Sequence, residues 1–514
     1  MKATTLAVGV ALLLVLAAPQ HYRDDIHTAN ESARVYAALA LVKHHTVALD
    51  PVFDDYFPGW RERGRPPNMD VSFRNGHYLL DKAPGLTLLA LPVVAALEAA
   101  GVHPSYAHLT WWLTLLFAAV PTVALVLLAR RWTDSPVPLV VVLASPWLVY
   151  GGLFFGHALA AALVAGGAVL ALGSLAAERD DARGAFGGGL ALGAAVLVEY
   201  TSALVVVLVL VALVVDPRRR TRLLHVCAGG LGPALVLLAW NTLVFGGPLA
   251  MSYAFKANRE LAAVHGHGLY GLATPGPAAL WGLLFGASRG LFFVAPWLLL
   301  GLVGALAAAA DARLARAWRV TLAGGALLLP CALAGFHDWQ GGLAFGPRYL
   351  LIAVPLLGIG VVRALERMTD AAWASFARWA LAGLMVSSFL VCATGAYVYP
   401  YLSEQLVNPI FEVDVPVLLA AGPAPTILGR GFVGALVAAG LGLGLVVWSL
   451  RGWLGRARPV LVAIAVAAAV GHILVAIVPE SPSAREVWRE RARAHQLLGQ
   501  DAAARRASDE ATRP

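Results

Sequence analysis

The sequence predicts an all-α integral membrane protein with about thirteen transmembrane helices. Of its 514 residues, 59% are hydrophobic and 13% are charged, whereas soluble domains carry about 25% charged residues. The mean hydropathy is +0.72. Apolar runs near the length of about 20 residues that spans a bilayer recur along the chain. One long polar stretch, residues 21–85, interrupts them and predicts a large first loop outside the cytoplasm.

The number of spans follows from run length and from the placement of arginine. Basic loops favour the cytoplasmic side, and the arginine bursts between residues 130 and 458 fall there under two conditions. Leu86–Val102, interrupted by a proline and a glutamate, must be interfacial, and 187–215 must form two short helices that turn near Glu199. The amino terminus is then cytoplasmic. The other predicted spans are 3–19, 106–129, 137–152, 156–176, 223–244, 290–309, 320–336, 348–366, 379–398, 432–450 and 459–478.

This topology divides the chain into four parts. Residues 1–20 form the first transmembrane helix, 21–105 an extracytoplasmic polar module with its interfacial segment, 106–478 the multi-span domain, and 479–514 an extracytoplasmic polar tail. Within the module, the apolar residues of Asn30 to His45 recur on one helical face, which predicts a helix lying on the membrane surface. The tail is rich in alanine, arginine and glutamate, and we expect a helix that frays into disorder.

Two ionisable residues stand inside apolar runs. A charged side chain at the centre of a bilayer costs about 3 kcal/mol on insertion scales, so Glu199 must face a cavity or a partner. It predicts either a buried structural ion pair or a binding role. His157 opens an otherwise apolar helix, where it either faces the cavity or forms an interfacial hydrogen bond.

The run from Asn75 to Gly85 combines a turn, an ion pair and a chain break. Asn75-Gly76 is typical of a tight turn, and a proline and glycine precede the next apolar run. Between them, Asp81-Lys82 places an ion pair at the membrane surface. Lys82 can neutralise a lipid phosphate as a point charge, or extend to the interface in a purely structural role.

A second polar run precedes the predicted span 348–366. The planar guanidinium of Arg348, beside Tyr349, suits bidentate contact with a phosphate. Trp339 and the glycines after it predict a platform on which a sugar could stack, or an interfacial belt residue.

These runs resemble the GT-C membrane glycosyltransferases, in the protein O-mannosyltransferase and aminoarabinose-transferase branch (glycosyltransferase family 39-like). Residues 75–85 are similar to the branch's "DKPP" region. Residues 30–36 stand where the branch carries Asp-Glu followed by Arg and Tyr. Residues 338–349 are similar to a "W-x-GG…GPRY" pattern in uncharacterised bacterial members of the superfamily. The thirteen-span topology with its large first loop also resembles that fold.

The resemblance implies transfer of a sugar from a polyprenyl-phosphate donor to a lipid, glycan or protein acceptor at the outer face of the inner (plasma) membrane. The branch uses a carboxylate of the first loop as base. Asn30 replaces its aspartate here, so the expected catalytic residue is Glu31 or Asp50, with Asp24 and Asp25 as alternatives. His157 replaces a second aspartate. The expected donor-binding residues are Asn30, Arg34, Asp81, Lys82, His157, Glu199, Trp339, Arg348 and Tyr349.

Other functions remain open on the sequence. The basic residues occur in bursts between apolar runs, which indicates topology signals rather than nucleic-acid binding. No G-x-x-x-x-G-K-[ST] loop occurs, which favours a lipid-linked over a nucleotide donor. No cofactor is expected, and a divalent cation is left open. The alternatives are a transporter or flippase for a lipid-linked glycan, coupled through Glu199 and His157, and a non-catalytic scaffold for envelope assembly.

Overall fold

The computed structural model describes residues 3–131, 133–175, 181–266, 268, 271–368, 371–429, 431–454 and 481–512. These residues are mostly helical, with one two-stranded hairpin, which confirms the all-α class. The helices are Ala3–Ala17, Ala29–Lys43, Asp50–Tyr56, Gly85–Ala99, Tyr106–Thr114, Val120–Ala129, Val137–Leu143, Trp147–Tyr150, Gly156–Leu172, Ala182–Val198, Ala203–Val215, Arg220–Phe245, Arg259–His265, Pro277–Leu284, Leu291–Val294, Leu298–Ala307, Arg316–Ala334, Val354–Glu366, Ala371–Tyr397, Val415–Ala421, Gly431–Leu454, Ala484–Leu497 and Asp501–Thr512, with short 3₁₀ or π turns at Leu115–Ala119, Tyr200–Ser202, Ser252–Phe255, Ala308–Ala310, Arg348–Ala353 and Ile410–Asp414.

Several helices have the length and composition of membrane spans. In the described part of the chain, six are long and apolar enough to cross a bilayer: Tyr106–Ala129, Arg220–Phe245, Arg316–Ala334, Arg348–Glu366, Trp373–Tyr397 and Gly431–Trp453. Shorter apolar helices, such as Gly156–Leu172, accompany them. The predicted span 459–478 lies outside the described residues, so the count of thirteen stays a prediction.

The long apolar run 187–215 breaks where the sequence predicts. The helix Ala182–Val198 ends at Glu199, whose backbone is extended (φ −150°, ψ 115°). A short 3₁₀ turn follows, and the next helix is Ala203–Val215. The break leaves the Glu199 side chain at a helix end rather than halfway along a continuous span.

The run 137–152 differs from the prediction of one span. It forms two short helices, Val137–Leu143 and Trp147–Tyr150, separated at Ser145-Pro146. Proline has no backbone N–H and disfavours helical backbone in the preceding residue, and the Ser145 hydroxyl instead accepts the Trp147 N–H at 3.2 Å. Most of this segment is buried, so it packs inside the protein.

The helix Ala29–Lys43 also differs from prediction, because it is not a surface helix. Residues 30–40 are all buried. The helix packs against Gly85–Ala99, where the Thr87 hydroxyl donates to the Arg34 carbonyl at 3.1 Å. The Asn68 side-chain amide donates to the Ala29 carbonyl at 3.0 Å. Tertiary contacts on several sides therefore replace the lipid surface that its amphipathic pattern predicted.

A β-hairpin carries the predicted turn and ion pair. Val71–Arg74 pairs antiparallel with His77–Leu80, and Asn75 and Gly76 both have positive φ (52° and 85°), as a two-residue turn of this hand requires. A later loop joins the edge of the hairpin, since the Ala257 N–H donates to the Val71 carbonyl at 3.0 Å. The hairpin ends at Leu80 and so presents residues 81 and 82 directly beside that loop.

The tail is more ordered than the sequence predicts. It forms two helices, Ala484–Leu497 and Asp501–Thr512, that pack on each other. Ser481 donates to the Glu412 carboxylate at 2.6 Å, and Arg491 donates to the Glu412 carbonyl at 2.6 Å. Small alanine side chains are buried along the second helix. This polar segment therefore has a packed face, which its composition does not indicate.

Candidate functional site

A cavity of about 250 Å³ lies between the polar module and the ends of several apolar helices. It brings together residues from widely separated parts of the chain. Four basic and five acidic side chains line it, together with polar and aromatic groups. The members that concern its chemistry are Asn30, Glu31, Arg34, Asp70, Lys82, Phe155, His157, Glu199, Tyr253, Lys256, Asp338, Arg348, Tyr349, Tyr401 and Glu404.

Two lysines on one wall share buried carboxylates. Lys82 Nζ lies 3.1 Å from Asp70 Oδ1 and 3.4 Å from Asp81 Oδ1. Lys256 Nζ pairs with Asp81 Oδ2, and the Ser252 hydroxyl donates to the Asp81 carbonyl at 2.7 Å. Burial by itself would raise the pKa of Asp70, but Lys82 and Lys256 hold that pKa well below its usual range. This wall therefore consists of ion pairs that fix both lysines in place.

Arg348 forms a second cationic group at the cavity. Its Nη2 donates to the Tyr349 hydroxyl at 2.9 Å, which in turn donates to Asp338 Oδ2 at 3.3 Å. Its guanidinium carbon lies 5.7 Å from the centre of the Phe155 ring and 4.9 Å from that of Tyr349. Among the described residues, Arg348 Nε has no hydrogen-bond partner. The guanidinium is thus held by rings and one hydroxyl, with donor capacity left over.

The glycine-rich loop before Arg348 is fixed by another arginine that sequence reasoning missed. Arg289 is 1% exposed. It donates to the carbonyls of Gln340 at 2.8 Å, Gly342 at 2.8 Å and Leu402 at 3.0 Å. Glu404 accepts the Gly342 N–H at 3.0 Å. These contacts join the loop around residue 341 to the segment around residue 403, and so shape the cavity wall.

His157, Glu199 and Arg34 form a buried row. Nδ1 of His157 lies 3.1 Å from Glu199 Oε2, and Arg34 Nη2 lies 3.8 Å from the same oxygen. Arg34 also donates to the Asn30 carbonyl at 2.9 Å. The helix that begins at Gly156 closely approaches the end of the following helix, Ala182–Val198, because Gly156 has no Cβ, which would lie only 2.8 Å from the Val198 carbonyl oxygen.

Glu31 occupies the cavity wall supplied by the polar module. It is fully buried, accepts a hydrogen bond from the Tyr401 hydroxyl at 3.0 Å on one oxygen, and accepts one from the Thr28 hydroxyl on the other. Burial raises the pKa of Glu31 to about 7, against the lowering effect of these hydroxyls and of Arg34. A carboxyl group of this pKa is suited to exchanging a proton near neutral pH.

We expect this pKa to make stability depend on pH. The ordinary pKa of 4.5 applies in the unfolded chain, so the folded protein binds the extra proton and loses stability as the pH rises from about 4.5 to about 7. Glu31→Gln lacks this loss and should gain about 3 kcal/mol over wild type between pH 5 and pH 8. Thermal unfolding of both proteins in detergent at the two pH values measures the difference. An unchanged difference would contradict the assignment.

Three residues expected at the site lie elsewhere. Asp50 accepts the Tyr78 N–H at 3.0 Å and lies 3.5 Å from His77, so it supports the hairpin. Asp81 is behind the cavity wall, where it binds the lysines. The Trp339 indole lies against Gly282 rather than lining the cavity as a sugar platform. The expected residues that do line the cavity are Asn30, Glu31, Arg34, Lys82, His157, Glu199, Arg348 and Tyr349.

The sequence missed several cavity residues, among them Asp70, Lys256, Tyr401 and Glu404. Each of them is a polar residue outside the helices, where side chains are usually solvated. No local sequence pattern distinguishes them from ordinary solvated residues. In the described ranges, no group of three or more histidine, cysteine or acidic side chains is arranged to hold a metal ion.

Comparison with known proteins returns two solved structures. No protein-family description and no curated protein matches the chain. The crystal structure of ArnT from Cupriavidus metallidurans in the apo state has a TM-score of 0.47 and 15% identity, and the match covers 95% of this chain and 90% of that one. The structure of the same protein bound to undecaprenyl phosphate has a TM-score of 0.47 and 17% identity, with 92% and 77% covered.

Proposed function

We propose that the chain is a membrane glycosyltransferase that moves a sugar from a polyprenyl-phosphate donor to a lipid, glycan or protein acceptor. The observation that carries the proposal is the composition of one buried cavity. Arg348 and Lys82 line it together with two groups that can accept a proton, Glu31 and His157. Transfer of a glycosyl group needs cations that bind the phosphate close to a group that accepts a proton. The reason is that the phosphate departs as the acceptor hydroxyl loses its proton.

Arg348 is the main ligand proposed for the donor phosphate. A guanidinium can donate two parallel hydrogen bonds to phosphate oxygens, and this one retains an unpartnered Nε in the described chain. Lys82 is already paired with two carboxylates, so it contributes a fixed point charge rather than a free donor. Both cations stabilise the negative charge that grows on the phosphate as the glycosidic bond breaks.

Asp50 has no part in the proposed reaction. Its carboxylate is engaged by the hairpin, whereas Glu31 lines the cavity. Of the two carboxylates expected to act as base, the proposal therefore keeps only Glu31 at the cavity. Asn30 and Arg34 shape the same wall from the helix Ala29–Lys43.

The charge distribution supports an extracytoplasmic cavity in the inner membrane. Arg348 begins the apolar helix Arg348–Glu366 at the cavity. At the other end of that helix, Asp311 Oδ2 lies 2.8 Å from Arg363 and 3.2 Å from Arg367. Basic clusters favour the cytoplasmic end of a span. A helix of this length covers about 28 Å, which supports a position of the cavity near the opposite surface of the bilayer.

The proposal is tested by transfer in liposomes. The purified protein would receive radiolabelled polyprenyl-phosphate mannose, glucose or arabinose together with a crude envelope fraction, and Glu31→Gln/Asp50→Asn would be assayed beside wild type. We expect label to leave the carrier and enter an acceptor in a time-dependent manner. Label that crosses the bilayer still attached to its carrier would identify a transporter instead, and label that stays in place with all three carriers would contradict the proposal for these sugars.

Gly341 provides a test of the role of Arg348 in transfer. A Cβ at Gly341 would lie 2.6 Å from Arg348 Nε, whereas one at Gly342 would meet nothing within 4 Å. Both glycines have positive φ (76° and 61°), so alanine strains the backbone by about 1–2 kcal/mol at either position. We expect Gly341→Ala to lower the transfer rate at least about tenfold more than Gly342→Ala. Equal losses in the two variants would count against a role for the Arg348 geometry.

A further inference from the structure

We infer that His157 is the base that takes the proton of the acceptor hydroxyl, and that Glu199 is the residue that positions it. The inference rests on the proposed function and assigns its proton acceptor to a histidine instead of a carboxylate. It depends on three features of the described residues, which are the geometry of the pair, the packing that fixes it and the engagement of the competing carboxylate.

The pair has the arrangement of a histidine oriented by a carboxylate. His157 is 3% exposed and lines the cavity. Its Nδ1 lies 3.1 Å from Glu199 Oε2, a short ion-pair contact that is not well aligned as a hydrogen bond, while Nε2 is buried without a partner in the described chain. A proton on Nδ1 is the one that the carboxylate can accept in a hydrogen bond, and it leaves the lone pair on Nε2. Nε2 is then free to accept a proton.

Packing on several sides holds this orientation. The His157 ring stacks on Tyr150 with centroids 5.6 Å apart, and the Tyr349 ring centroid lies 5.7 Å away. Glu199 is held in turn by Arg34, 3.8 Å from its Oε2. The close approach at Gly156 joins the two helix ends that carry the pair. Pre-organisation of this kind is what a catalytic base requires, because it needs no rearrangement when the acceptor arrives.

Glu31 is less available than His157. Both of its oxygens already accept a hydrogen bond, from Tyr401 and from Thr28, so part of its accepting capacity is used. Nε2 of His157, by contrast, has no partner among the described residues. Glu31 is better suited to binding the acceptor than to removing its proton.

The step balances without a further reactant. The acceptor oxygen bonds to the anomeric carbon as its O–H bond breaks, and the proton goes to Nε2 of His157. The bond between the anomeric carbon and the phosphate oxygen breaks at the same time, and its electron pair remains on the phosphate, which departs on its lipid. Glu199 stays ionised and stabilises the imidazolium. The proton passes to water after the product has left.

The test compares His157→Gln, Glu199→Gln and Glu31→Gln in the liposome assay. His103→Gln is the histidine control, because His103 is exposed, lies 3.6 Å from Glu98 and does not line the cavity. We expect His157→Gln to lower kcat by about 10²- to 10⁴-fold while KM for the donor changes less than about threefold. Glu199→Gln should lower kcat about 10- to 100-fold and shift the acid limb of the pH profile to lower pH, because the imidazolium loses its anionic neighbour. His103→Gln should match wild type.

Two results would overturn the inference while leaving the glycosyltransferase in place. One is a His157→Gln enzyme that keeps more than about a tenth of the wild-type kcat while Glu31→Gln abolishes transfer. The other is spectroscopic and needs no activity. Nitrogen-15 NMR of histidine-labelled protein, with the His157 signal assigned by difference from His157→Gln, should show the Nδ1-protonated tautomer, and an Nε2-protonated ring would exclude the proposed base. Wild type that transfers none of the three sugars would contradict the proposed function for these sugars, and the tautomer of His157 would then decide the inference on its own.

Discussion

Arg348→Ala is expected to lower kcat/KM for sugar transfer by about 10²- to 10³-fold, the usual cost of removing one donor that stabilises developing charge. The side chain is held between Phe155 and Tyr349 and bonded to the Tyr349 hydroxyl, so it is already in position before the donor binds. Alanine removes the positive charge and the two parallel N–H donors of the guanidinium. The measurement is the initial rate of label transfer in liposomes at several donor concentrations.

The conservative variant separates charge from shape. Arg348→Lys keeps the charge but cannot make the bidentate contact, so we expect a rate between those of alanine and wild type. Arg61→Ala is the matched arginine variant, since Arg61 is exposed and pairs with Asp54 away from the cavity. It should transfer at the wild-type rate. An Arg348→Ala protein with more than about a third of wild-type kcat/KM would remove Arg348 from the proposed donor site.

Asp81→Ala is expected to give the largest loss of stability. Asp81 is fully buried and neutralises both Lys82 and Lys256. Removing one member of a buried ion network leaves charges without compensation, which typically costs about 3–5 kcal/mol. The cost arises in the contact between the hairpin and the loop that carries Lys256, so the polar module should lose its attachment to the remainder of the protein.

Thermal unfolding in detergent measures this effect, with limited proteolysis of the 246–276 loop as a second readout. Asp55→Ala is the matched control, because Asp55 forms an exposed pair with His44 and exposed pairs contribute little. This control variant should unfold at the same temperature as wild type. If Asp81→Ala also unfolds at the wild-type temperature, the buried network does not hold the module in place and its assigned role is wrong.

The sequence by itself determined the local and the bulk features of this protein. Apolar runs predicted the helical class because the hydrocarbon of a bilayer requires such runs. The turn at Asn75-Gly76 followed from residues that tolerate positive φ. The break at Glu199 followed from the cost of a charge within lipid, together with the sign of the flanking loops. Each of these depends on neighbouring residues or on composition, which a sequence displays directly.

Some of the residues that the sequence singled out line the cavity, and composition again explains which ones. His157, Glu199 and Arg348 stood out because a polar group in an apolar setting must face something polar, and all three line the cavity. Residues in polar surroundings carried no such signal. Asp50 and Glu31 looked alike in sequence, and only the packing turned Glu31 into the cavity and Asp50 toward the hairpin.

Only the tertiary structure decided which of these groups meet. Asp81 pairs with Lys256 across 175 residues, and Glu31 accepts a hydrogen bond from Tyr401 across 370 residues. Such contacts leave no local pattern, because they arise when helices pack and loops fold over their ends. The same packing buried the helix Ala29–Lys43, whose pattern suited a membrane surface. It also left Nε2 of His157 at the cavity without a partner in the part of the chain that the structure describes, the feature on which the inferred base depends.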